Sequence, residues 1–215
     1  MYVPAHFAET DPGRIAGLVD AHPLATLVAQ VDGRIEAHHL PFVPLDGVAA
    51  GHRLVAHAAR ANPVVRLGDA RAEVLLVFTG AEAYVSPSFY PGKAQHHRVV
   101  PTYNYAAVHL RGELTCARDA TTRRGIVEFL TRRMERGRET PWSIDDAPPD
   151  FVARMLEGIV ALSFEIRSVE AKFKASQNKS DADRHGVAAG LRAEAGLPGS
   201  VEAARLVDGR RDDTG

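Results

Sequence analysis

Apolar residues at helical spacing open the chain: Ile15, Leu18 and Val19 follow Thr10-Asp11-Pro12, a cap residue with proline at the first helical position. They predict a helix that stops before Pro23. Leu24 to Val31 then reads as a buried strand, Asp32-Gly33 as a two-residue hairpin turn, and Arg34 to Val43 as the returning strand. Arg53 to Ala58 is a further short strand, and Asn62-Pro63 pairs a cap with a first-turn proline to start a short helix reaching about Leu67. Strands are also expected over Glu73 to Thr79 and Ala83 to Ser86. Beyond a loop holding Pro87, Pro91, Gly92 and Pro101, Tyr103 to Cys116 alternates cleanly. Ala106, Val108 and Leu110 share one face, and Tyr105, His109 and Arg111 the other.

The second half changes period. Ile126, Phe129, Leu130 and Met134 predict an amphipathic helix ending near Gly137, and Phe151, Val152, Met155, Leu156 and Ile159 another, started by Pro148-Pro149-Asp150. Phe164 to Ala175 returns to strand composition, and Ser180 or Asp181 caps a last helix to about Ala195, ended by Gly196-Leu197-Pro198-Gly199. Several strands with peripheral helices, and no regular βα alternation, predict an α+β protein built on an antiparallel β-barrel. One domain is expected over 1–195. The charged stretch 196–215 is expected to be a largely poorly ordered tail.

Composition narrows the function classes. The chain has 215 residues, a formal net charge of -1 and 45% hydrophobic residues, which is the make-up of an ordinary globule rather than a general polyanion binder. No apolar run approaches the roughly 20 residues that cross a bilayer, so no membrane partner is expected. The start, Met1-Tyr2-Val3-Pro4, has neither a basic nor an apolar leader region. Cys116, the single cysteine, excludes an internal disulfide and makes a cytoplasmic setting the expectation.

Several clusters could carry chemistry. His38-His39, followed by Leu40 and Pro41, lies on the second hairpin arm, where neighbouring side chains point to opposite faces, so one of the two at most enters a given site. They are either one solvated and one hydrogen-bonded histidine or a contact to an anion or cofactor. His57, His96, His97 and His109 lack the spacing of a metal motif, and no metal is expected. His57 to Pro63 joins a strand end to a helix start and contains Arg60 and Asn62. It is either a cap beside a surface arginine or a phosphate contact.

Of the 26 Lys plus Arg, only four are lysines, and Lys172, Lys174 and Lys179 fall within eight residues beside Ser176, Gln177 and Asn178. This is either a polar-ligand surface or an edge strand blunted by charge. Five of the 14 aromatic residues lie in Tyr84 to Pro91 and Val100 to Tyr105, beside Asn104, which suits a planar ring ligand or plain strand packing. Seven arginines between 118 and 138, interleaved with acids, read as a solvated helix face rather than a DNA surface. GxGxxG, GxxxxGK[ST] and GxSxG motifs are absent, and Cys116 reads as a buried inert thiol.

Taken in order, Met1-Tyr2-Val3-Pro4 with Thr10-Asp11-Pro12, His39-Leu40-Pro41, Ala59-Arg60-Ala61-Asn62-Pro63, Tyr84 to Pro91, Val100 to Tyr105 with His109, and Lys172 to Asn178 followed by Asp183 and Gly186-Val187 resemble the PaiB family. That family comprises FMN-binding negative transcriptional regulators with a split barrel similar to pyridoxamine phosphate oxidase. Phe89 and Tyr103 stand where the family pattern has Trp, His38 where it has Thr, and Ala175 where it has a larger apolar residue. The resemblance implies a split β-barrel with peripheral helices, and a homodimer holding FMN at the subunit interface. It also implies a flavin site drawn from His38, His39, Leu40, Pro41, His57, Arg60, Asn62, Tyr103, Asn104, Tyr105, Lys172, Lys174, Ser176 and Gln177, with Lys172 and Lys174 as alternative residues of the dimer seam. Flavin-dependent redox activity would follow. Two rivals stay open: a repressor that binds DNA directly, and a haem-binding or haem-degrading split barrel with His39, His57 or His109 as axial ligand.

Overall fold

The structure, a computed structural model, describes residues 1–209; the charged end of the expected tail, 210–215, lies outside the described residues. The strands are β1 (Ala8–Glu9), β2 (Leu24–Val31), β3 (Arg34–Pro41), β4 (Val43–Pro44), β5 (Arg53–Ala59), β6 (Glu73–Val85), β7 (Thr102–Ala117) and β8 (Ile159–Lys174). The helices are α1 (Pro12–Ala21), α2 (Val64–Asp69), α3 (Lys93–His96), α4 (Ala120–Met134), α5 (Pro149–Glu157), α6 (Asp181–Ala193) and α7 (Ser200–Asp208). They form two compact units. Unit 1 contains Met1–Leu18, Thr79–Val108 and the described residues from Glu170 onward; unit 2 contains Val19–Phe78 and His109–Val169. β6, β7 and β8 each contribute a segment to both units.

Unit 2 carries the strand order β3-β2-β6-β7-β8-β5-β4. The predicted hairpin is present, paired from Leu24↔Pro41 to Val31↔Arg34. Asp32 (φ 48°) and Gly33 (φ 78°) both take the left-handed conformation that a tight hairpin turn needs. Alternation along β2 buries Ala25, Leu27, Ala29 and Val31. β2 also runs antiparallel to β6, and β5 antiparallel to both β4 and β8. β3 and β5, far apart in strand order, touch each other and bring the sheet round on itself. Inside lie Leu54, Leu76, Phe78, Leu110, Leu114, Leu162 and Phe164, with Phe42 edge-on to Phe164 at 6.3 Å. Gly112 lets β7 approach β8 closely, since a Cβ there would sit 2.0 Å from the Glu165 carbonyl oxygen. α4 covers Val43 and Val55 with Ile126, Phe129 and Leu130, and α5 packs Val152 and Leu156 on Ile144.

In unit 1, β1 pairs with β8 at Ala8↔Lys172 and Glu9↔Ala171. Asp11 caps α1 by accepting from Arg14 N at 2.8 Å, and Ser180 caps α6 by accepting from Asp183 N at 3.2 Å. Residues 200–208, placed in the poorly ordered tail by the sequence, form α7. Ala203, Ala204 and Val207 bury against Val187, Ala188 and Leu191 of α6. The expected strand pair 73–79 and 83–86 is one strand, β6, because Gly80 lets Leu18 pack against the backbone at the apparent break. Gly190 likewise admits the Phe89 ring, which a Cβ would meet at 2.3 Å. No helix among the described residues is long and apolar enough to cross a membrane.

Candidate functional site

The residues singled out from sequence divide between the units. In unit 2, the β3 alternation sends His38 and His39 to opposite faces. His39 is exposed, with Nδ1 3.2 Å from Oγ1 of its cross-strand partner Thr26. His38 is half-buried, and its Nε2 has Glu36 Oε2 at 3.5 Å but no hydrogen bond of good geometry. Leu40 and Pro41 follow, partly buried.

On β5, His57 faces Ala161 across the β5–β8 pair, and its buried Nδ1 has no hydrogen-bond partner. Burial pushes its pKa down, so the ring is neutral at pH 7. The chain then turns. Arg60 N donates to Gly158 O at 2.8 Å, while the exposed guanidinium has no described carboxylate within ion-pair distance. Asn62 accepts from Val64 N at 3.0 Å, which spends its side-chain oxygen on the start of α2.

Unit 1 gathers the rest around the β7 and β8 segments. Asn104, fully buried, donates to Ser176 Oγ at 2.9 Å. Ser176 holds a left-handed φ of 59°, a conformation a non-glycine residue keeps only where its surroundings over-determine it. Gln177 supplies the rest of that clamp: its amide donates to Phe173 O, and its oxygen accepts from Ala175 N at 2.6 Å.

Lys172, also buried, donates to Tyr2 O at 3.2 Å and lies over the Tyr105 ring at 5.1 Å. Lys174 donates to Tyr103 O at 2.5 Å and to Thr102 Oγ1. Burial, and then the charges of Lys172 and Lys179, push the Lys174 pKa down. Tyr103 and Tyr84 are half-exposed and meet edge-to-face at 5.9 Å.

Lys179, Tyr90, Tyr2, Phe7 and Thr102 were not among the residues that the resemblance assigned to the flavin. Lys179 stood in the lysine run itself. Its Nζ lies over the Tyr90 ring at 5.4 Å, and Tyr90 lines an open cavity of about 430 Å³ together with Phe89, Lys93, Ala94 and His97. Burial raises the Tyr90 phenol pKa, partly opposed by the neighbouring Ser176 hydroxyl.

Other candidates resolve into structural roles. The arginines of residues 118–138 are largely paired: Arg124 with Glu128 at 2.7 Å and Asp145 at 2.6 Å, Arg133 with Asp20 at 2.5 Å, and Arg138 with Glu135 at 3.0 Å. Cys116 is partly exposed rather than buried, and its thiol donates to Asp69 at 2.9 Å. Arg118 grips the same carboxylate with two nitrogens, one at 2.6 Å. Among the described residues no cluster of His, Cys, Asp and Glu could hold a metal ion.

An antiparallel sheet that comes back on itself, flanked by helices, is the α+β split β-barrel architecture. The chain belongs to the family described as "Putative FMN-binding domain", which it matches over residues 1–168. It is 29% identical over 208 residues to the protease synthase and sporulation protein PAI 2 of Bacillus subtilis, covering 97% of either chain. In structure it is similar to the FAD and heme binding protein of Mycobacterium smegmatis, with a TM-score of 0.55 and 24% identity over 85% of this chain and 80% of that one. It is also similar to the flavocytochrome Anf3 of Azotobacter vinelandii, with a TM-score of 0.55 and 17% identity over 80% of this chain and 72% of that one. At these identities the structural likeness concerns the fold.

Proposed function

We propose that this chain binds FMN, as a homodimer with the flavin at the subunit interface, and acts as a PaiB-type negative regulator through flavin redox chemistry in the cytoplasm. The observation that carries the reading is the family match over residues 1–168, which contains the segments 38–41 and 57–62. The residues of unit 2 suit such a ligand. Arg60 offers a guanidinium with no described carboxylate to neutralise it, fit for a phosphate, and His57 offers a buried ring nitrogen lacking a partner. When bound, a flavin supplies electron and hydride transfer at its ring. The protein's own part is to hold and orient. Arg60 anchors the phosphate end, neutral His57 gives or takes one hydrogen bond without adding charge, and His38 completes a polar edge beside the apolar Leu40 and Pro41. An indirect regulatory route fits better than direct DNA reading, because Arg124, Arg133 and Arg138 are matched to acids.

The test is the visible spectrum of the purified protein with and without FMN. Oxidised flavin bands with one FMN retained per subunit are expected. Arg60→Ala removes a charge-assisted contact of about 1.5–3 kcal/mol and weakens FMN retention roughly tenfold or more. No flavin binding, with a Soret band on adding haem that disappears in His57→Ala, would replace this reading with the haem one.

A further inference from the structure

Lys172 is an ammonium group more than nine-tenths buried, yet no described carboxylate lies within ion-pair distance of it. Lys174 and Lys179, both partly exposed, likewise have no described carboxylate within that distance; Lys174 stands two residues from Lys172 on the same face of β8, and the charges of Lys172 and Lys179 both act on it. Their present partners are neutral: the Tyr2 and Tyr103 carbonyls, the Thr102 hydroxyl, and the faces of Tyr2, Tyr105, Phe7 and Tyr90.

Carboxylates nearby in the chain or across the β1–β8 pair are engaged elsewhere. Glu9 holds Arg14 at 3.1 Å, Glu170 holds the N-terminal ammonium at 3.0 Å, and Asp183 accepts from Gly92 N at 3.0 Å. Buried charges in folded proteins are ordinarily paired, because leaving water without a counter-charge is costly. Here the protein collects like charges on a backbone that Asn104, Ser176 and Gln177 hold rigidly, and among the described residues it supplies no anion of its own.

We infer that unit 1 carries a second ligand site, in which Lys172, Lys174 and Lys179 take the dianionic head of a phosphate monoester. Three compact point charges, each with donors to spare, match the three terminal oxygens and double charge of such a group better than the single charge of a carboxylate. The open cavity beside Tyr90 and the surrounding rings give an apolar or aromatic alcohol portion a place to lie. Arg60, His57 and His38, on which the flavin reading above rests, take no part in it, whereas Lys172 and Lys174 are residues that the family resemblance also offered to the flavin; the inference does not depend on flavin being bound.

Phenyl phosphate is the probe, titrated calorimetrically into the full-length protein, both flavin-free and saturated with FMN. Saturable binding is expected in both states. It should weaken at least tenfold in Lys172→Met and Lys174→Met and stay unchanged in Arg60→Ala. Lys172→Arg, which keeps the charge, should retain most of the affinity and serves if the methionine variant fails to fold. Absence of saturable binding to the folded wild type would overturn the site. So would equal affinity in the lysine variants, or loss of phenyl phosphate binding on FMN saturation, which would identify the lysines as the flavin's own phosphate contacts. FMN retention, measured in parallel by absorbance, fails or survives separately and tests the flavin reading alone.

Discussion

Two regions of this protein are rich in cations and are built in opposite ways. Along α4 of unit 2, Arg124 and Arg133 are matched to acids, and Arg123, the buried one, spends its guanidinium on backbone carbonyls. In unit 1, Lys172, Lys174 and Lys179 meet rings, carbonyls and a hydroxyl but no acid among the described residues. The first region is self-neutralising and therefore structural. The second has an unmet charge and is therefore available to a ligand. A count of basic residues ranks the regions the other way round, so what matters for anion binding is which cations the fold leaves unanswered.

The strongest way to sharpen the contrast is Arg123→Met. Methionine fills much of the volume but leaves the Leu156 carbonyl, now 2.5 Å from Arg123 Nη1, without its donor. A loss of about 2–3 kcal/mol in urea denaturation is expected, with phenyl phosphate affinity unchanged. A drop in that affinity would break the comparison, since an α4 cation would then be serving the anion. Asn104→Ala does the converse in unit 1. It removes a buried partner of Ser176 and should cost about 1–2 kcal/mol while weakening phenyl phosphate several-fold, because the clamped turn that carries the lysines loosens.

The architecture was legible where a residue pattern has one local cause. Alternation along 24–31 and the Asp32-Gly33 turn specify the hairpin and its register, and Asp11-Pro12, Pro148-Pro149 and Ser180 mark the starts of α1, α5 and α6. It was not legible where a distant contact decides. Gly80 reads as a break in β6 until Leu18 is seen beside it, and Gly-Leu-Pro-Gly before Ser200 outweighs the helical spacing of Val201, Ala204 and Val207, which only α6 makes useful. The candidate site divides the same way. Residue types pointed to the lysine run and to Arg60, but the pairing of α4 arginines, the left-handed Ser176 and the Asp69–Cys116–Arg118 contact join residues far apart in sequence.

That last contact offers a smaller test. Arg118 first, and then Cys116, hold the Asp69 carboxyl well below its usual value of 3.8, at about 2. Its stabilising contribution is therefore complete above about pH 4 and fades as the pH falls towards 2. The thiol moves the other way, raised by burial and by the hydrogen bond to Asp69. Asp69→Asn removes the carboxylate and should speed iodoacetamide alkylation of Cys116 several-fold at pH 8. An unchanged rate would mean that burial alone controls the thiol.

The smallest effect belongs to the paired arginines themselves. Arg124→Gln breaks contacts to Glu128 and Asp145, all three side chains lying at least a third exposed, so a stability loss under about 1 kcal/mol is expected. Most of it should vanish in 0.5 M sodium chloride, where the screening length falls to about 4 Å. The buried end of the lysine cluster should resist the same salt better than a surface pair does, because Lys172 is shielded by protein rather than by solvent. Comparing Arg124→Gln stability with wild-type phenyl phosphate binding across one salt series separates the two designs. If both fade in parallel, the lysines are a solvated face after all, and the distinction between answered and unanswered charge loses its physical basis.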